Sequence, residues 1–385
     1  MKPSVSSSSA RGHLVSRRCY SSSGTTSGES SIEEPENRRK DRCAMTRFAS
    51  RWSYRFKRPV KARVLSRQRL VGLLLALACA PIVSQQTSSS AATAFAMQSS
   101  STVFAIIGDF GHSPQARRKY GEWAIDPTGD VARLVKSWEP EFIVTTGDNN
   151  YYCGEADLID DNIGQYYHAF ISPYLGKYGR GATENRFFPS MGNHDWYAGV
   201  GCQPGSSAAP YVSYFSLPGN GRYYHFVRGA VHIFVLSSDL DSEPDGVTES
   251  SIQAMWLQSA LASSQSPWKL VVFHHPPYSS GIWDVESLAA AWMRWPFQAW
   301  GASAVVAGHA HSYERIMIAG FPYFVNGAGG HGTTAFDITP VAGTVVRYNN
   351  DLGAMRVIAD QATIAFEFIT RSGELIDFYK LPASP

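Results

Sequence analysis

Short apolar runs alternate with helical patterns through the middle of the chain. The apolar runs predict buried strands at 103–107, 142–146, 187–191, 268–273 and 302–307. Apolar residues that recur at helical spacing predict helices at about 129–138, 157–175, 248–262 and 286–299. Strands and helices in this order favour parallel strands that are joined by right-handed crossovers.

A hairpin and an alternating tail extend this pattern. Residues 223–227 and 231–237 predict two strands joined by a turn, and the segment from Asp195 to about Gly221 predicts a long loop. Much of the tail from Ile316 alternates between apolar and polar positions, which predicts antiparallel strands. We therefore expect one two-sheet α/β domain over 97–385.

The first 96 residues have a different pattern. Residues 1–70 are rich in Ser and Arg, and a short apolar stretch at about 70–83 follows them and leads to a small-residue cleavage site that ends at Ala96. This arrangement is typical of a secretory signal peptide and is too short for a comfortable membrane span. We expect a disordered leader over 1–96 and a secreted or periplasmic mature domain without a stable membrane span. A lipoprotein signal at Cys79, an uncleaved anchor and a transit peptide are the alternatives, and Met45 is an alternative start.

Charge and cysteine content narrow the class of protein. Residues 71–385 contain 17 Lys and Arg against 27 Asp and Glu, a formal charge of −10, which argues against a nucleic-acid partner. Outside the leader only Cys153 and Cys202 remain, and they form either one disulfide or two free thiols.

Polar residues with metal-binding side chains follow the ends of five predicted strands. Open α/β sheets bind ligands at the carboxyl ends of their strands, and carboxylate, amide and imidazole groups are common metal ligands. In chain order these residues are Asp109, then Asp148 with Tyr151, then Asn193 with His194, then His274, and finally His309 with His311. The sequence therefore predicts a metal site at this edge.

These residues lie in the blocks D-x-G, G-D-x-x-Y, G-N-H-D, V-x-x-H and G-H-x-H. The set resembles the calcineurin-like metallophosphoesterases and, within them, the purple acid phosphatases of the low-molecular-weight type without an extra N-terminal domain. The resemblance covers nearly all of 103–327. It implies a four-layer αββα sandwich of two packed mixed β-sheets flanked by helices.

The resemblance also implies two metal ions. One ion takes Asp109, Asp148, Tyr151 and His311, and the other takes Asp148, Asn193, His274 and His309, so that Asp148 bridges them. It implies Fe(III) at the tyrosine site and Fe(II), Zn(II) or Mn(II) beside it. A phenol is a poor ligand for a divalent ion at neutral pH, which agrees with a trivalent ion there. Alternatively, Tyr151 only packs beside the site.

The reaction implied is hydrolysis of a small phosphomonoester by a metal-bound hydroxide. Asn193 and His194 would contact the substrate, and His194 would help to protonate the leaving group. Asp195 either orients His194 or caps the next turn, and alternation predicts that His275 points away. The substrate histidine that many relatives have after V-x-x-H is absent from 279–284, where Trp283 offers an apolar wall instead.

Three other functions fit the same residues. A phosphodiesterase of the same superfamily uses the same kind of ligands. A non-catalytic metal-binding or phosphate-binding protein is an alternative from another class. Redox chemistry of an iron pair would be a side activity.

Overall fold

The structure is a computed structural model that describes residues 101–197, 202, 208–283 and 286–383. The predicted leader, its apolar stretch and its cleavage site lie outside these residues. Within the described ranges, no helix has both the length and the apolar character that a membrane span requires.

One central sheet has six strands in the order β16-β15-β14-β1-β2-β3. Strands β1, β2 and β3 run parallel to one another, whereas β14, β15 and β16 pair antiparallel. The antiparallel tail predicted from sequence is therefore confirmed for these last three strands. The bounds are β1 Thr102–Ile107, β2 Phe142–Thr145, β3 Phe187–Pro189, β14 Gly353–Ala359, β15 Thr363–Thr370 and β16 Leu375–Pro382.

The other central sheet has seven strands in the order β13-β10-β11-β9-β6-β5-β4. The predicted hairpin forms β4 and β5, and β5, β6, β9 and β11 run parallel. Strand β10 pairs antiparallel with β11 and β13, as expected for much of the tail, whereas β11 also pairs parallel with β9, which was not expected. The bounds are β4 Tyr224–Arg228, β5 Val231–Val235, β6 Trp268–Val272, β9 Ala304–Ala307, β10 Tyr313–Ile318, β11 Phe321–Asn326 and β13 Thr344–Tyr348.

A third, small sheet was not predicted. It pairs β7 with β8 and β12, and its bounds are β7 Gly281–Trp283, β8 Glu286–Ser287 and β12 Ala335–Phe336.

Short helices connect the strands. They are α1 Pro114–Lys119, α2 Pro127–Ser137, α3 Gln165–Tyr167, α4 Asn193–Trp196, α5 Ala209–Tyr214 and α6 Ile252–Ser263. A π-helical turn at Asp160–Gly164 precedes α3, and 3₁₀ turns lie at His168–Phe170 and Ala291–Met293. Helices α2 and α6 match the predictions for 129–138 and 248–262.

Two predicted helices were wrong in whole or in part. The segment 286–299 contains β8 and a 3₁₀ turn instead of a helix, because Pro296 lacks the N–H that a helix needs and the bulky side chains bury at irregular spacing. The segment 157–175 is broken into three short turns and ends at Phe170, since the residue before Pro173 disfavours helical geometry. α5 lies within the predicted long loop.

The core has two layers of apolar side chains. One layer joins the sheets and includes Phe104 and Val144 of the first sheet with Val306 and Phe324 of the second. The other covers the far face of the second sheet, where Val305 packs in one cluster with residues of α6. Strands that are buried on both faces explain why their sequences are continuously apolar.

Candidate metal centre

All seven predicted ligand residues lie at the carboxyl ends of parallel strands. Those that follow β1, β2 and β3 come from the first sheet, and those that follow β6 and β9 come from the second. Asp109, Asp148 and His309 adopt left-handed backbone conformations, with φ of 55°, 52° and 67°. Such conformations cost about 1–3 kcal/mol for non-glycine residues and are concentrated at functional sites.

A first group consists of Tyr151 and the three side chains that surround its phenol oxygen. Tyr151 Oη lies 2.9 Å from Asp148 Oδ2, 3.3 Å from Asp109 Oδ1 and 3.1 Å from His311 Nε2. His311 Nε2 and Asp109 Oδ1 are 3.4 Å apart. These four residues are the set that the sequence assigned to one metal ion.

A second group consists of His274 and the three side chains that surround its Nε2. That nitrogen lies 3.0 Å from Asn193 Oδ1, 3.2 Å from His309 Nδ1 and 3.4 Å from Asp148 Oδ2. Asp148 Oδ2 therefore belongs to both groups. The structure brings the seven side chains together as two sets that share one oxygen atom.

Backbone groups orient three of these side chains. The N–H of His309 donates to both oxygens of Asp109, at 3.0 Å to Oδ2 and 3.2 Å to Oδ1. The N–H of His194 donates to Asp148 Oδ1, which leaves Asp148 Oδ2 at the centre. The carbonyl of Thr146 lies 2.8 Å from His274 Nδ1. A proton on that nitrogen leaves Nε2 with its lone pair free, as a metal ligand requires.

The two buried carboxylates at the centre, Asp109 and Asp148, are suited to bind cations. Asp109 and Asp148 are fully buried, and among the described residues neither has a Lys or Arg within ion-pair distance. Burial would raise the pKa of Asp148, but the charges of His274 and His194 hold it well below its usual range. Burial disfavours the charged form of His274, yet the Asp148 carboxylate raises the pKa of His274 to about 9. Buried carboxylates that rely on imidazolium partners are well suited to bind metal ions.

Tyr151 lies at the centre of the first group of side chains. Burial, followed by the charges of Asp148 and Asp109, raises the pKa of Tyr151 well above its usual value. The phenol therefore keeps its proton and donates a hydrogen bond to Asp148, unless a strongly Lewis-acidic ion replaces that proton. Its position among carboxylate and imidazole groups argues against a role in packing alone.

Two residues of the G-N-H-D block have separate environments. His194 places Nδ1 against the carbonyl of Tyr152, and its Nε2 lies 3.9 Å from Asp148 Oδ2 in a partly exposed side chain. Asp195 is buried and accepts hydrogen bonds from the backbone N–H groups of Gly192 and Asn149. Asp195 thus caps this turn and ties it to the loop after β2, and no hydrogen bond joins its carboxylate to the His194 ring.

His275 differs in part from its prediction. Its Nδ1 lies 3.0 Å from Ser238 Oγ, as expected for a structural residue, but its ring packs 4.5 Å from that of His309 rather than pointing away. His274, His275 and His309 hold nitrogens within 4.8 Å of one another. His275 therefore packs directly behind one group of candidate ligands.

Two histidines beside the site lie outside the predicted set of site residues. His331 packs 4.1 Å from the Tyr151 ring, and His112 stacks on His331 at 4.7 Å. Burial, and then the neighbouring His311, lower the pKa of His331 to about 2. A signal for His331 was available: the glycine-rich segment 327–330 follows the apolar run 321–326, as glycine flanks Asp109 after β1.

A cavity of about 310 Å³ opens over the two groups of ligands. Candidate ligands form part of its polar side, and Trp283 and Leu288 form an apolar side. The residues that line it are Asp148, Tyr151, Tyr152, Asn193, His194, Trp283, Leu288, His309, His311, His331 and Thr334. A volume of this size suits a small ligand.

Cys153 and Cys202 form a disulfide, which decides between the two alternatives left by the sequence. It closes a segment with a sequence separation of 49 residues. We expect the double change Cys153→Ala and Cys202→Ala to lower the free energy of unfolding by about 4 kcal/mol, because the unfolded chain regains loop entropy. Thermal unfolding measures this change. A reductant should lower the melting temperature of the native chain and leave that of the variant unaltered.

Metal binding should also stabilise the fold. We expect the melting temperature to rise by several degrees when Zn²⁺ or iron is added to chelator-treated protein, because cations bind the folded site and relieve repulsion between Asp109 and Asp148. Differential scanning calorimetry measures this shift. Mg²⁺ at the same concentration is the control, since it favours oxygen ligands and water. Equal shifts with all ions would contradict a site in which three histidines contribute imidazole ligands.

Comparisons with known proteins agree with this geometry. Residues 102–313, more than half of the chain, match the family model described as Calcineurin-like phosphoesterase. Tartrate-resistant acid phosphatase type 5 of Homo sapiens is 24% identical over 241 residues, which are 59% of this chain and 72% of that protein. Purple acid phosphatase of Glycine max is 23% identical over 228 residues, 55% of this chain and 43% of that protein.

Two solved structures share the fold. The purple acid phosphatase PPD1 from yellow lupin (Lupinus luteus) seeds has a TM-score of 0.58 at 19% identity and covers 74% of this chain, which spans 54% of the lupin chain. GAP50, the anchor in the inner membrane complex of Plasmodium, has a TM-score of 0.53 at 16% identity, with coverage of 74% and 90%. The predicted two-sheet α/β fold is confirmed. The chain belongs to the calcineurin-like phosphoesterase family, has purple acid phosphatases among its homologues, and carries the fold of a phosphoester hydrolase.

Proposed function

We propose that the chain hydrolyses small phosphomonoesters at a pair of metal ions, in the manner of a purple acid phosphatase. The observation that carries this proposal is the position of Asp148 Oδ2, 2.9 Å from Tyr151 Oη and 3.4 Å from His274 Nε2. One carboxylate oxygen within reach of both ligand groups is suited to link two cations. The relatives named as acid phosphatases support the same reaction class.

The residues divide between the two ions in our proposal. Asp109, Tyr151 and His311 hold Fe(III), whereas Asn193, His274 and His309 hold Fe(II), Zn(II) or Mn(II), and Asp148 belongs to both sets. When bound, such a pair polarises phosphoryl oxygens and lowers the pKa of water. The phenol of Tyr151 supports the trivalent ion, because a divalent ion competes poorly for a phenol whose pKa is raised.

The side chains at the rim orient the substrate. The oxygen of the Asn193 amide faces His274, so the NH₂ group of the amide points away from His274. In our proposal this NH₂ group donates a hydrogen bond to a phosphoryl oxygen of the substrate. His194 Nε2 is free of protein hydrogen bonds among the described residues, while Nδ1 is held by the Tyr152 carbonyl. We assign His194 to the substrate, as a donor to phosphate or to the leaving oxygen.

The apolar side of the cavity receives the leaving group. Trp283 is 61% exposed at the cavity, and Leu288 lies beside it. These two side chains favour a leaving group with apolar surface and provide no charge for a second phosphate.

A phosphodiesterase is the runner-up. The relatives named as acid phosphatases favour a monoester. A non-catalytic role is the alternative from another class. GAP50, which shares the fold, is described as an anchor, so the fold alone does not fix activity. The complete donor set of the present chain favours catalysis.

The predicted signal peptide supports a secreted or periplasmic location for the mature domain, and the disulfide between Cys153 and Cys202 suits an oxidising compartment.

The test is turnover by purified, metal-loaded protein. We expect p-nitrophenyl phosphate to be hydrolysed with a kcat/KM at least about tenfold above that for bis(p-nitrophenyl) phosphate, because the diester carries a second bulky substituent. Metal analysis should give about two ions per chain. Faster diester turnover would favour the phosphodiesterase, and no turnover at full metal content would favour the non-catalytic role.

A further inference from the structure

We propose that His331 is a substrate-binding residue whose imidazole hydrogen-bonds to an oxygen of the bound phosphoryl group. This inference rests on the proposed function and adds to it a residue that lies outside the five motif blocks. It rests on the attachment of His331 to the ligand loops, on the packing of its ring and on the absence of hydrogen-bond partners for its ring nitrogens among the described residues.

The backbone around His331 is fixed to two candidate ligand loops. The N–H of His331 donates to the carbonyl oxygen of Asp109 at 3.0 Å, and the N–H of Thr334 donates to the carbonyl oxygen of His311 at 3.0 Å. Arg117 also donates to the carbonyl oxygens of Gly330 and His331. The loop after β11 therefore holds a constant position relative to the first ligand group.

The ring of His331 is held by packing on its neighbours. The Tyr151 ring lies 4.1 Å away with an interplanar angle of 31°, and the His112 ring lies 4.7 Å away with an angle of 20°. The His311 ring meets it edge-on at 4.9 Å. His331 also lines the cavity with Asp148 and His194. An imidazole placed in this way is pre-oriented, and binding orders it at little entropic cost.

Neither ring nitrogen of His331 has a hydrogen-bond partner among the described residues, and Nε2 is buried. Thr334 Oγ1, which belongs to the same cavity lining, is also buried without a partner there. Leaving a buried polar group unpaired costs about 1–3 kcal/mol. Because Nε2 and Oγ1 expose almost no surface, the nitrogen of His331 that can meet a ligand in the cavity is Nδ1, which is not among the buried atoms.

Phosphate suits this nitrogen. A neutral imidazole with its proton on Nδ1 has one N–H donor there, and a phosphoryl oxygen accepts from it. Within the part of the chain that the structure describes, neither Lys nor Arg lines the cavity. Segment 276–283 provides no histidine after the His274-His275 pair, so an imidazole other than that of His194 has to come from another loop. His331 places one beside Tyr151, and the His194 ring packs on the same tyrosine at 4.4 Å.

The competing role for His331 is packing alone, which would only hold Tyr151 in place. Two substitutions separate the roles. His331→Phe keeps an aromatic ring against Tyr151 and removes the hydrogen bond, whereas His331→Asn keeps a donor and loses the ring. His225→Asn, at an exposed strand position, is the matched control.

The experiment measures the inhibition constant of inorganic phosphate, KM and kcat for p-nitrophenyl phosphate, metal content and the visible spectrum. We expect His331→Phe to raise both the inhibition constant of phosphate and KM about tenfold, because one hydrogen bond is lost. The metal content and the visible spectrum of this variant should match those of the wild type. His331→Asn should restore at least part of the affinity, and His225→Asn should match the wild type.

Wild-type phosphate affinity in His331→Phe would overturn the proposal. Loss of metal or a shifted spectrum, with an unchanged phosphate affinity of the metal-loaded protein, would also overturn it, because His331 would then only pack against Tyr151. If the wild-type protein proves inactive, the proposed function fails separately. Calorimetric titration of the metal-loaded protein with phosphate then still compares His331→Phe with the wild type, and equal affinities overturn the role of His331.

Discussion

Replacing Asp148 by Asn is expected to remove both metal ions and to lower kcat/KM by more than about 10³-fold. Asp148 Oδ2 is the atom that the two ligand groups share, so its loss affects both together. An amide at this position provides one neutral oxygen and no charge to offset the cations. Metal analysis after gel filtration and turnover of p-nitrophenyl phosphate measure the two effects.

Asp157→Asn is the matched control, because Asp157 is an exposed carboxylate paired with Lys119 at 3.0 Å. It should keep metal and activity. If Asp148→Asn retained two ions and full activity, the shared role of this carboxylate would be refuted. Loss of only one ion would show that Asp148 serves a single cation.

Tyr151→Phe is expected to abolish a tyrosinate-to-iron absorption band in the visible region. The phenol oxygen lies 3.1 Å from His311 Nε2 and 3.3 Å from Asp109 Oδ1, where it would share an ion with both. Removing one ligand should also weaken binding of the first ion by at least about tenfold. Absorption spectroscopy with iron analysis measures the outcome.

The neighbouring tyrosine supplies a control. Tyr152 Oη donates to Glu122 and packs close to Tyr151, so Tyr152→Phe removes a phenol from the same loop without removing a candidate ligand. The Tyr152→Phe band should persist. A band that survives in Tyr151→Phe, or a wild-type protein without iron, would contradict the assignment of iron to this position.

The positions of the candidate ligands followed from the sequence because they obey a simple rule. Parallel buried strands end at one edge, so Asp109 and His311 are predicted to meet although 202 positions separate them in the chain. The structure places His311 Nε2 3.4 Å from Asp109 Oδ1. Their roles as ligands stay predictions until metal is measured.

The position of His331, the structure of 286–299 and the cap formed by Asp195 could not be predicted from the sequence by this rule. His331 follows β11, whose parallel direction is fixed by pairing with β9 and not by its own residues. Periodicity suggested a helix over 286–299, but Trp295 and Phe297 bury through tertiary packing that no local pattern encodes. The cap formed by Asp195 required knowledge of where the Gly192 and Asn149 amides point.

The candidate centre draws its side chains from both central sheets. Asp109, Asp148 and Asn193 follow strands of one sheet, and His274 and His309 follow strands of the other. A cation pair bound by these residues would link the two sheets at the edge where their strands end. Catalytic competence and the mechanical cohesion of the two halves would then depend on a single loading event, and metal starvation would weaken both at once.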